Sequence, residues 1–208
     1  MSVVGSVHGR LVSPRRVRLL SSRIARQLPQ GASVLDVGCG DGAMARAILD
    51  ARPDLTLTGV DVLVRRHTEI PVLGFDGRTL PVGDHEVDAV LFVDVLHHTL
   101  HADRLLQEAA RVARQAIVVK DHLEATWFDR QTLRLMDWVG NSAHGVALPF
   151  AYWPRARWQS AIAAIGARVE QWEERLDLYP WPATLLFDRS LHFLARLSLA
   201  PSARGNAK

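Results

Sequence analysis

The stretch Val34-Leu-Asp-Val-Gly-Cys-Gly-Asp-Gly42 joins an apolar run to a glycine-rich turn. Its valine and leucine residues suit a strand that is buried on both faces of a parallel sheet. Gly38, Gly40 and Gly42 allow a tight turn in which the backbone comes close to a ligand. Good helix formers follow from Ala43, so the first amides of that helix would face whatever lies over the turn. The sequence therefore predicts a nucleoside-cofactor site at the end of the first strand.

A second acid stands at the end of the next predicted strand. The segment Leu55-Thr-Leu-Thr-Gly-Val-Asp61 suits a strand of the same sheet, and Asp61 closes it about 20 residues after the glycine run. From this position an acid accepts hydrogen bonds from ribose hydroxyls. Asp61 is therefore predicted to bind ribose, and a helix cap or a solvated loop is the alternative.

Four segments in this order resemble the class I S-adenosylmethionine-dependent methyltransferases, in particular the small single-domain, type 11-like group. They are the glycine run, the strand that ends at Asp61, the segment Phe75-Asp-Gly-Arg-Thr-Leu-Pro81 and the stretch from Val87 to His98. The resemblance extends from Val34 to Val119. It implies S-adenosylmethionine as the cofactor, S-adenosylhomocysteine as the product and methyl transfer as the activity.

The same resemblance assigns cofactor contacts to the loops that follow the strands. Asp76 would meet the adenine amino group, although its Asp-Gly pair is equally typical of a plain turn. The predicted cofactor-binding set is Asp36, Gly38, Cys39, Gly40, Asp61, Val62, Asp76, Gly77, Val93 and Asp94.

An NAD-binding oxidoreductase is one alternative, because Gly38-Cys-Gly-Asp-Gly-Ala43 also satisfies the relaxed G-x-G-x-x-G/A pattern. Asp36 and Asp41 count against it, since they would place two carboxylates beside the pyrophosphate. The sulfonium and ammonium groups of S-adenosylmethionine are compatible with both acids. A non-catalytic adenosylmethionine-binding protein, or a partner subunit with the same fold, stays open because no catalytic residue is diagnostic.

The rest of the chain alternates strand and helix, which favours a single α/β domain over residues 1–200. We expect a Rossmann-like, doubly wound sheet of seven mostly parallel strands, with helices on both faces and a C-terminal antiparallel hairpin. The other predicted elements are a helix over 14–28, a third strand over 71–75, a fifth strand over 116–120, a helix over 155–165, a hairpin of 169–178 with 185–197 and a loose tail over 201–208.

Composition restricts the class of protein. A chain of 208 residues, 48% hydrophobic and 23% charged, is long enough for a full core in one domain. The net charge of +3 and the scattered arginine pairs disfavour a nucleic-acid partner. The single cysteine excludes an intrachain disulfide framework and a cysteine-rich metal site, and it suits a reducing cytoplasm. No apolar run is long enough to span a membrane.

The first 30 residues contain no Asp or Glu and several Arg and Ser, which is also the composition of a transit peptide. The apolar positions Val17, Leu20, Ile24 and Leu28 recur at helical spacing directly before the first strand. This pattern favours a structural helix.

Residues 121–153 depart from a minimal member of the family. We predict a loop-rich insertion that lies above the carboxyl ends of the strands, as a lid over the acceptor. Its aromatic side chains would offer an apolar surface to a small molecule, or would only pack the segment onto the sheet. They are Trp127, Phe128, Trp138, Phe150, Tyr152 and Trp153.

Histidines near the ends of the strands are the candidate general bases, because imidazole titrates close to neutral pH. We expect His97 and His122 to act on the acceptor first, with His98 as a contributor. A base is needed only if the acceptor is a hydroxyl or a protonated amine. No metal is expected. The predicted protein is a monomer or homodimer that methylates a small, apolar or aromatic molecule.

Overall fold

One sheet organises the part of the chain that the structure describes, which comprises residues 13–141, 149–179, 181–182, 184–187 and 190–199 of a computed structural model. The strands are β1 (Ser33–Val37), β2 (Thr56–Asp61), β3 (Val72–Gly74), β4 (Val87–Val93), β5 (Ala113–His122), β6 (Arg168–Glu173) and β7 (His192–Ser198). The helices are α1 (Ser13–Gln27), α2 (Ala43–Ala51), α3 (Ala102–Val112), α4 (Trp127–Asn141), α5 (Arg155–Ala164) and α6 (Thr184–Phe187), with a 3-10 turn at Leu96–His98.

The seven strands lie in the order β3-β2-β1-β4-β5-β7-β6. Strands β1 to β5 pair in parallel, and β7 lies antiparallel between β5 and β6. The chain proceeds from β1 outward to β3 and then returns to β4 on the other side of β1. This reversal opens a crevice at the carboxyl ends of β1 and β4, where open α/β sheets bind ligands. The predicted doubly wound, mostly parallel sheet is confirmed.

Both faces of the central strands are apolar, because each face is covered by helices. Val90 and Phe92 of β4 belong to the core under α3 and α5, whereas Ala89 and Leu91 of the same strand belong to the core under α1 and α2. This alternation follows from the period of two residues along a strand. Polar side chains are therefore placed at the ends of these strands.

The predicted N-terminal helix is present as α1. Its Leu20 and Ile24 are fully buried and pack in one core with Ile48 of α2. Within the described ranges, no helix is both long and apolar enough to cross a bilayer.

The C-terminal hairpin is shorter than expected. Residues 185–187 lie in α6 and not in a strand, and β7 begins only at His192. Ser190 has a φ of +55°, a left-handed conformation that an extended strand does not contain. Strand β6 ends at Glu173, which pairs with Leu194, and residues 174–178 of the predicted strand lie outside it. The predicted tail over 201–208 lies outside the described residues.

The segment 121–153 is more regular than the loop-rich insertion that we predicted. Its first two residues still belong to β5, and the 15-residue helix α4 forms much of the remainder. Strand β5 extends beyond the predicted 116–120 at both ends because it pairs with β4 on one side and β7 on the other. Leu123 and Trp153 form an isolated bridge that closes the segment on itself.

Candidate functional site

The glycine turn after β1 is held tightly against its neighbours. Gly38, Gly40 and Gly42 have φ values of +72°, +61° and +81°, which only glycine adopts without strain. The Gly38 amide donates to the Val60 carbonyl at 2.7 Å, so the turn is attached to β2. A Cβ atom on Gly38 would lie 2.6 Å from a methyl carbon of Val95. The backbone at this position therefore leaves no space for a side chain.

The second predicted acid joins this turn directly. The Gly40 amide donates to Asp61 Oδ2 at 2.8 Å, and the Leu63 amide donates to Asp61 Oδ1 at 2.8 Å. The structure thus brings together two segments that are separate in the sequence. The carboxylate lies half-buried at the crevice between β1 and β2.

An apolar surface lies next to Asp61. Val62 is 65% exposed, and a Cβ atom on Gly77 would lie 3.2 Å from Val62 Cγ1. Asp76 is exposed, and it accepts hydrogen bonds from the Arg78 and Thr79 amides. The sequence leaves two interpretations of the Asp-Gly pair, an adenine contact or a plain turn. These amide hydrogen bonds are the ones expected of a turn.

Asp36 is the most buried acid of the cofactor set, with an exposed fraction of 2%. Burial, together with the nearby charge of Asp61, raises the pKa of Asp36 to about 7. Burial and the neighbouring carboxylates, Asp36 first among them, also raise the pKa of the Cys39 thiol to about 12. Cys39 therefore carries a protonated, unreactive thiol.

Asp94 follows β4 and is one of the predicted cofactor contacts. In the structure its carboxylate is bound by other side chains of the protein. Its carboxylate forms ion pairs with Arg16 of α1 and with Lys120 of β5. Lys120 is fully buried. Burial alone would raise the pKa of Asp94, but the charges of Lys120 and Arg16 hold it well below its usual range. Asp94 is thus a buried, neutralised carboxylate beside the half-buried Val93.

His97 lies between two carboxylates. Its Nδ1 is 2.6 Å from Asp121 Oδ1, and its Nε2 is 3.5 Å from Asp137 Oδ2. Burial alone would lower the pKa of His97, but Asp121 and Asp137 raise it to about 10. In this arrangement His97 is a cation at neutral pH, so the predicted role as a general base does not match its charge state.

His98 and His122 are the neutral imidazoles of the group. Burial and the charge of His97 lower the pKa of His98 to about 4, and the same two causes lower the pKa of His122. The His97 and His98 ring centroids are 3.9 Å apart, and those of His97 and His122 are 4.3 Å apart. The three predicted bases therefore form one cluster, which His192 joins at 4.8 Å from His122.

Helix α4 carries exposed apolar side chains. Trp127 and Trp138 are 73% and 61% exposed. A shallow cleft of about 370 Å³, largely open to solvent, is lined by Gln131, Arg134, Leu135, Trp138 and Phe150. The helix is connected to the histidines, since Tyr152 donates a hydrogen bond to Asp137, which faces His97.

Known proteins share the first half of this arrangement. Residues 35–116 match the methyltransferase domain family. The chain is 34% identical over 109 residues to the mouse tRNA (carboxymethyluridine(34)-5-O)-methyltransferase ALKBH8. That alignment covers 49% of this chain and 15% of the mouse protein. It is 36% identical over 107 residues to the fatty-acid O-methyltransferase of Mycolicibacterium smegmatis. That alignment covers 47% of this chain and 39% of the bacterial relative. Each alignment thus spans less than half of the relative.

The fold likeness extends further along the chain. One similar solved structure is a complex of the Haloferax volcanii Trm112 methyltransferase activator with a methyltransferase. The superposition covers 97% of this chain and 99% of the matched chain, with a TM-score of 0.67 and 17% sequence identity. Residues 35–116 therefore belong to the methyltransferase domain family, and the chain has the fold of the class I methyltransferases. At 17% identity, the likeness to the archaeal structure concerns the methyltransferase fold alone.

Several polar residues of the methyltransferase site were missed from the sequence. Lys120 carried a usable signal, because it is a lysine that directly follows the apolar run Ala116–Val119 of a buried strand. Arg16, Asp121, Asp137 and His192 carried none. They lie on four different elements and meet only in the folded chain.

The close contact at Gly38 can be tested with two matched substitutions. Gly38→Ala and Gly31→Ala both place a side chain at positive φ, which costs about 1–2 kcal/mol. Only Gly38→Ala also meets Val95, whereas nothing lies within 4 Å of the Gly31 position. We expect Gly38→Ala to lower the free energy of unfolding by about 1–3 kcal/mol more than Gly31→Ala in urea denaturation. Equal losses would contradict the close approach to Val95.

Replacing the Asp36 carboxyl by a neutral group is expected to stabilise the folded chain by an amount that depends on pH. Its pKa in the folded chain, about 7, lies above its usual 3.8, so its ionisation opposes folding increasingly as the pH rises from 4 through 7. We expect Asp36→Asn to raise the free energy of unfolding relative to the native chain by about 2–4 kcal/mol at pH 8. At pH 5 the gain should be at least about 1 kcal/mol smaller. A gain that is the same at both pH values in urea titrations would contradict the burial of an ionisable carboxyl.

Proposed function

We propose that this protein transfers a methyl group from S-adenosylmethionine to a small, apolar or aromatic acceptor. The observation that carries the proposal is the hydrogen bond from the Gly40 amide to Asp61, at the crevice where the strand order reverses. It joins the glycine turn and the ribose-binding acid into one concave surface.

The residues around this surface suit the charges of the cofactor. Asp36 and Asp61 supply negative charge that favours a sulfonium and an ammonium group and disfavours a pyrophosphate. Each oxygen of Asp61 accepts one amide hydrogen bond and keeps a second lone pair, with which we propose that it accepts from ribose hydroxyls. The exposed Val62 and the adjacent Gly77 would receive the adenine ring.

An arginine supplies the complementary charge for the amino-acid carboxylate. The Arg65 guanidinium lies 3.6 Å from the position of a Cβ atom on Gly40, so it extends over the glycine turn. From there we propose that it binds a carboxylate that approaches the turn from the solvent side.

Methyl transfer requires an acceptor atom in line with the sulfonium methyl, and positioning provides much of the acceleration. The cofactor supplies an electrophilic methyl group when it is bound. Where the acceptor is a hydroxyl, His98 and His122 are the groups that can receive its proton, because both are neutral imidazoles. His97 would assist as a cation that fixes Asp121 and Asp137.

The cleft on α4 supports the proposed acceptor class. Leu135, Trp138 and Phe150 make its lining apolar, and Arg134 lies 4.9 Å from the Phe150 ring centroid as its charged group. A small apolar molecule with an anionic or polar end matches this lining better than an RNA backbone, which requires a run of cations. The relative from Mycolicibacterium smegmatis, a fatty-acid O-methyltransferase, agrees with this choice.

We propose that the chain acts in the cytoplasm as a monomer or homodimer. The protonated thiol of its single cysteine suits a reducing compartment. The archaeal structural neighbour is in a complex with a methyltransferase activator, and the mouse relative is a tRNA methyltransferase. Activity assays should therefore include tRNA as a competing acceptor and a Trm112-type activator when the isolated chain is inactive.

Calorimetry tests the cofactor directly. We expect S-adenosylmethionine and S-adenosylhomocysteine to bind and NAD not to bind. Asp61→Ala should weaken binding by about 1.5–3 kcal/mol, the scale of hydrogen bonds to a charged group. Asp50→Ala, on the exposed face of α2, is the control and should leave the affinity unchanged. Tight NAD binding without an adenosylmethionine signal would overturn the proposed activity.

A mutation in α4 should impair acceptor recognition and leave cofactor binding nearly unchanged. Trp138→Ala removes a side chain that lines the cleft, whereas Trp127→Ala removes an equally exposed tryptophan of the same helix that does not. We expect Trp138→Ala to lower kcat/KM for the acceptor at least about tenfold and to leave adenosylmethionine affinity within about 1 kcal/mol. A loss of equal size in Trp127→Ala would show that the cleft does not recognise the acceptor.

A further inference from the structure

Three ligand-type atoms converge beneath the turn that follows β4. His97 Nδ1 lies 2.6 Å from Asp121 Oδ1 and 3.1 Å from His122 Nδ1, and the last two atoms are 3.6 Å apart. All three side chains are at most 5% exposed. The proposed methyl transfer requires neither this convergence nor the neighbouring His192.

Asp121 Oδ1 accepts from the His122 amide at 2.7 Å, so the unsatisfied atoms are the two facing imidazole Nδ1 atoms, which share one hydrogen. If the hydrogen is on His97 Nδ1, both Asp121 Oδ1 and His122 Nδ1 face it. If it is on His122 Nδ1, the lone pair of His97 Nδ1 faces the carboxylate at 2.6 Å without a hydrogen between them. A divalent cation at the centre satisfies all three lone pairs. Ligand atoms about 2.0–2.1 Å from a tetrahedral zinc ion are roughly 3.3 Å apart, and the observed separations bracket that value.

The surrounding groups already orient these atoms for coordination. Asp121 is positioned by the Leu96 amide, which donates to its Oδ2 at 2.9 Å, so its Oδ1 faces the histidines. His97 Nε2 is buried without a hydrogen-bond partner and lies 3.5 Å from Asp137 Oδ2. With a metal on Nδ1, Nε2 carries the hydrogen and donates it to Asp137. This carboxylate-histidine-metal arrangement is typical of zinc sites.

We propose that His97, Asp121 and His122 bind one divalent transition-metal ion of the zinc class. Two imidazole nitrogens and one carboxylate oxygen are ligands that zinc and cobalt accept. Three protein ligands leave a fourth position for water or for an oxygen of the acceptor. This site replaces the expectation that the protein has no metal.

The test uses the whole 208-residue chain, stripped with EDTA and titrated with Zn²⁺ in the absence of any cofactor or acceptor. We expect one equivalent to bind, to raise the melting temperature and, when Co²⁺ is used, to produce the visible absorption of a four- or five-coordinate ion. His122→Gln should abolish all three signals. Asp137→Asn should weaken Zn²⁺ binding 10- to 100-fold, as expected for a group that orients a ligand.

Two controls keep the outcome specific. His67→Gln removes an exposed histidine and should bind Zn²⁺ as the native chain does. His98→Gln should also retain binding, since His98 belongs to an alternative grouping with His97 and Asp137. Folding of each variant is checked by far-UV circular dichroism. Absence of binding by the native chain, or undiminished binding by folded His122→Gln, would overturn the proposal. Neither result depends on methyl transfer.

Discussion

Strands β1, β4 and β5 are covered by helices on both faces, and this constraint determines where function is located. Their interior positions alternate between two apolar cores, so a polar side chain in the middle of a strand would be desolvated without partners. The acids, the lysine and the histidines instead collect at the carboxyl ends. The glycine turn belongs to the same edge, because the reversal of strand order between β1 and β4 opens the crevice there.

The carboxyl-end edge divides into two regions of different character. Around Gly40 and Asp61, partly exposed groups and backbone amides surround an open surface. Around Asp94 and Asp121, charged groups are sealed among the strand ends and paired with Lys120, Arg16 and His97. Breaking a buried ion pair costs about 3–5 kcal/mol because one charge is left uncompensated. The ion pairs of the second region therefore contribute to the stability of the strand ends.

Helix α4 connects the sealed region to the cleft. Asp137 faces His97 on one side and accepts from Tyr152 on the other, so the position of the helix is tied to the turn after β4. A change in the charge of this cluster would reach the cleft through a short chain of contacts. The cleft and the strand ends are connected for this reason, even though the family match ends at residue 116, before α4 begins.

The sequence by itself determined the fold class, the order of the first five strands and the glycine turn with Asp61, because these depend on local periodicity and on spacing along the chain. It did not determine the extent of β5 or the start of β7, since strand ends depend on which partner lies opposite. Nor did it determine the charge states of His97, His98 and His122. These depend on burial and on Asp121 and Asp137, which approach from β5 and α4. Only tertiary structure decides which side chains share a desolvated space, and that sharing decides whether a histidine is a base, a cation or a ligand.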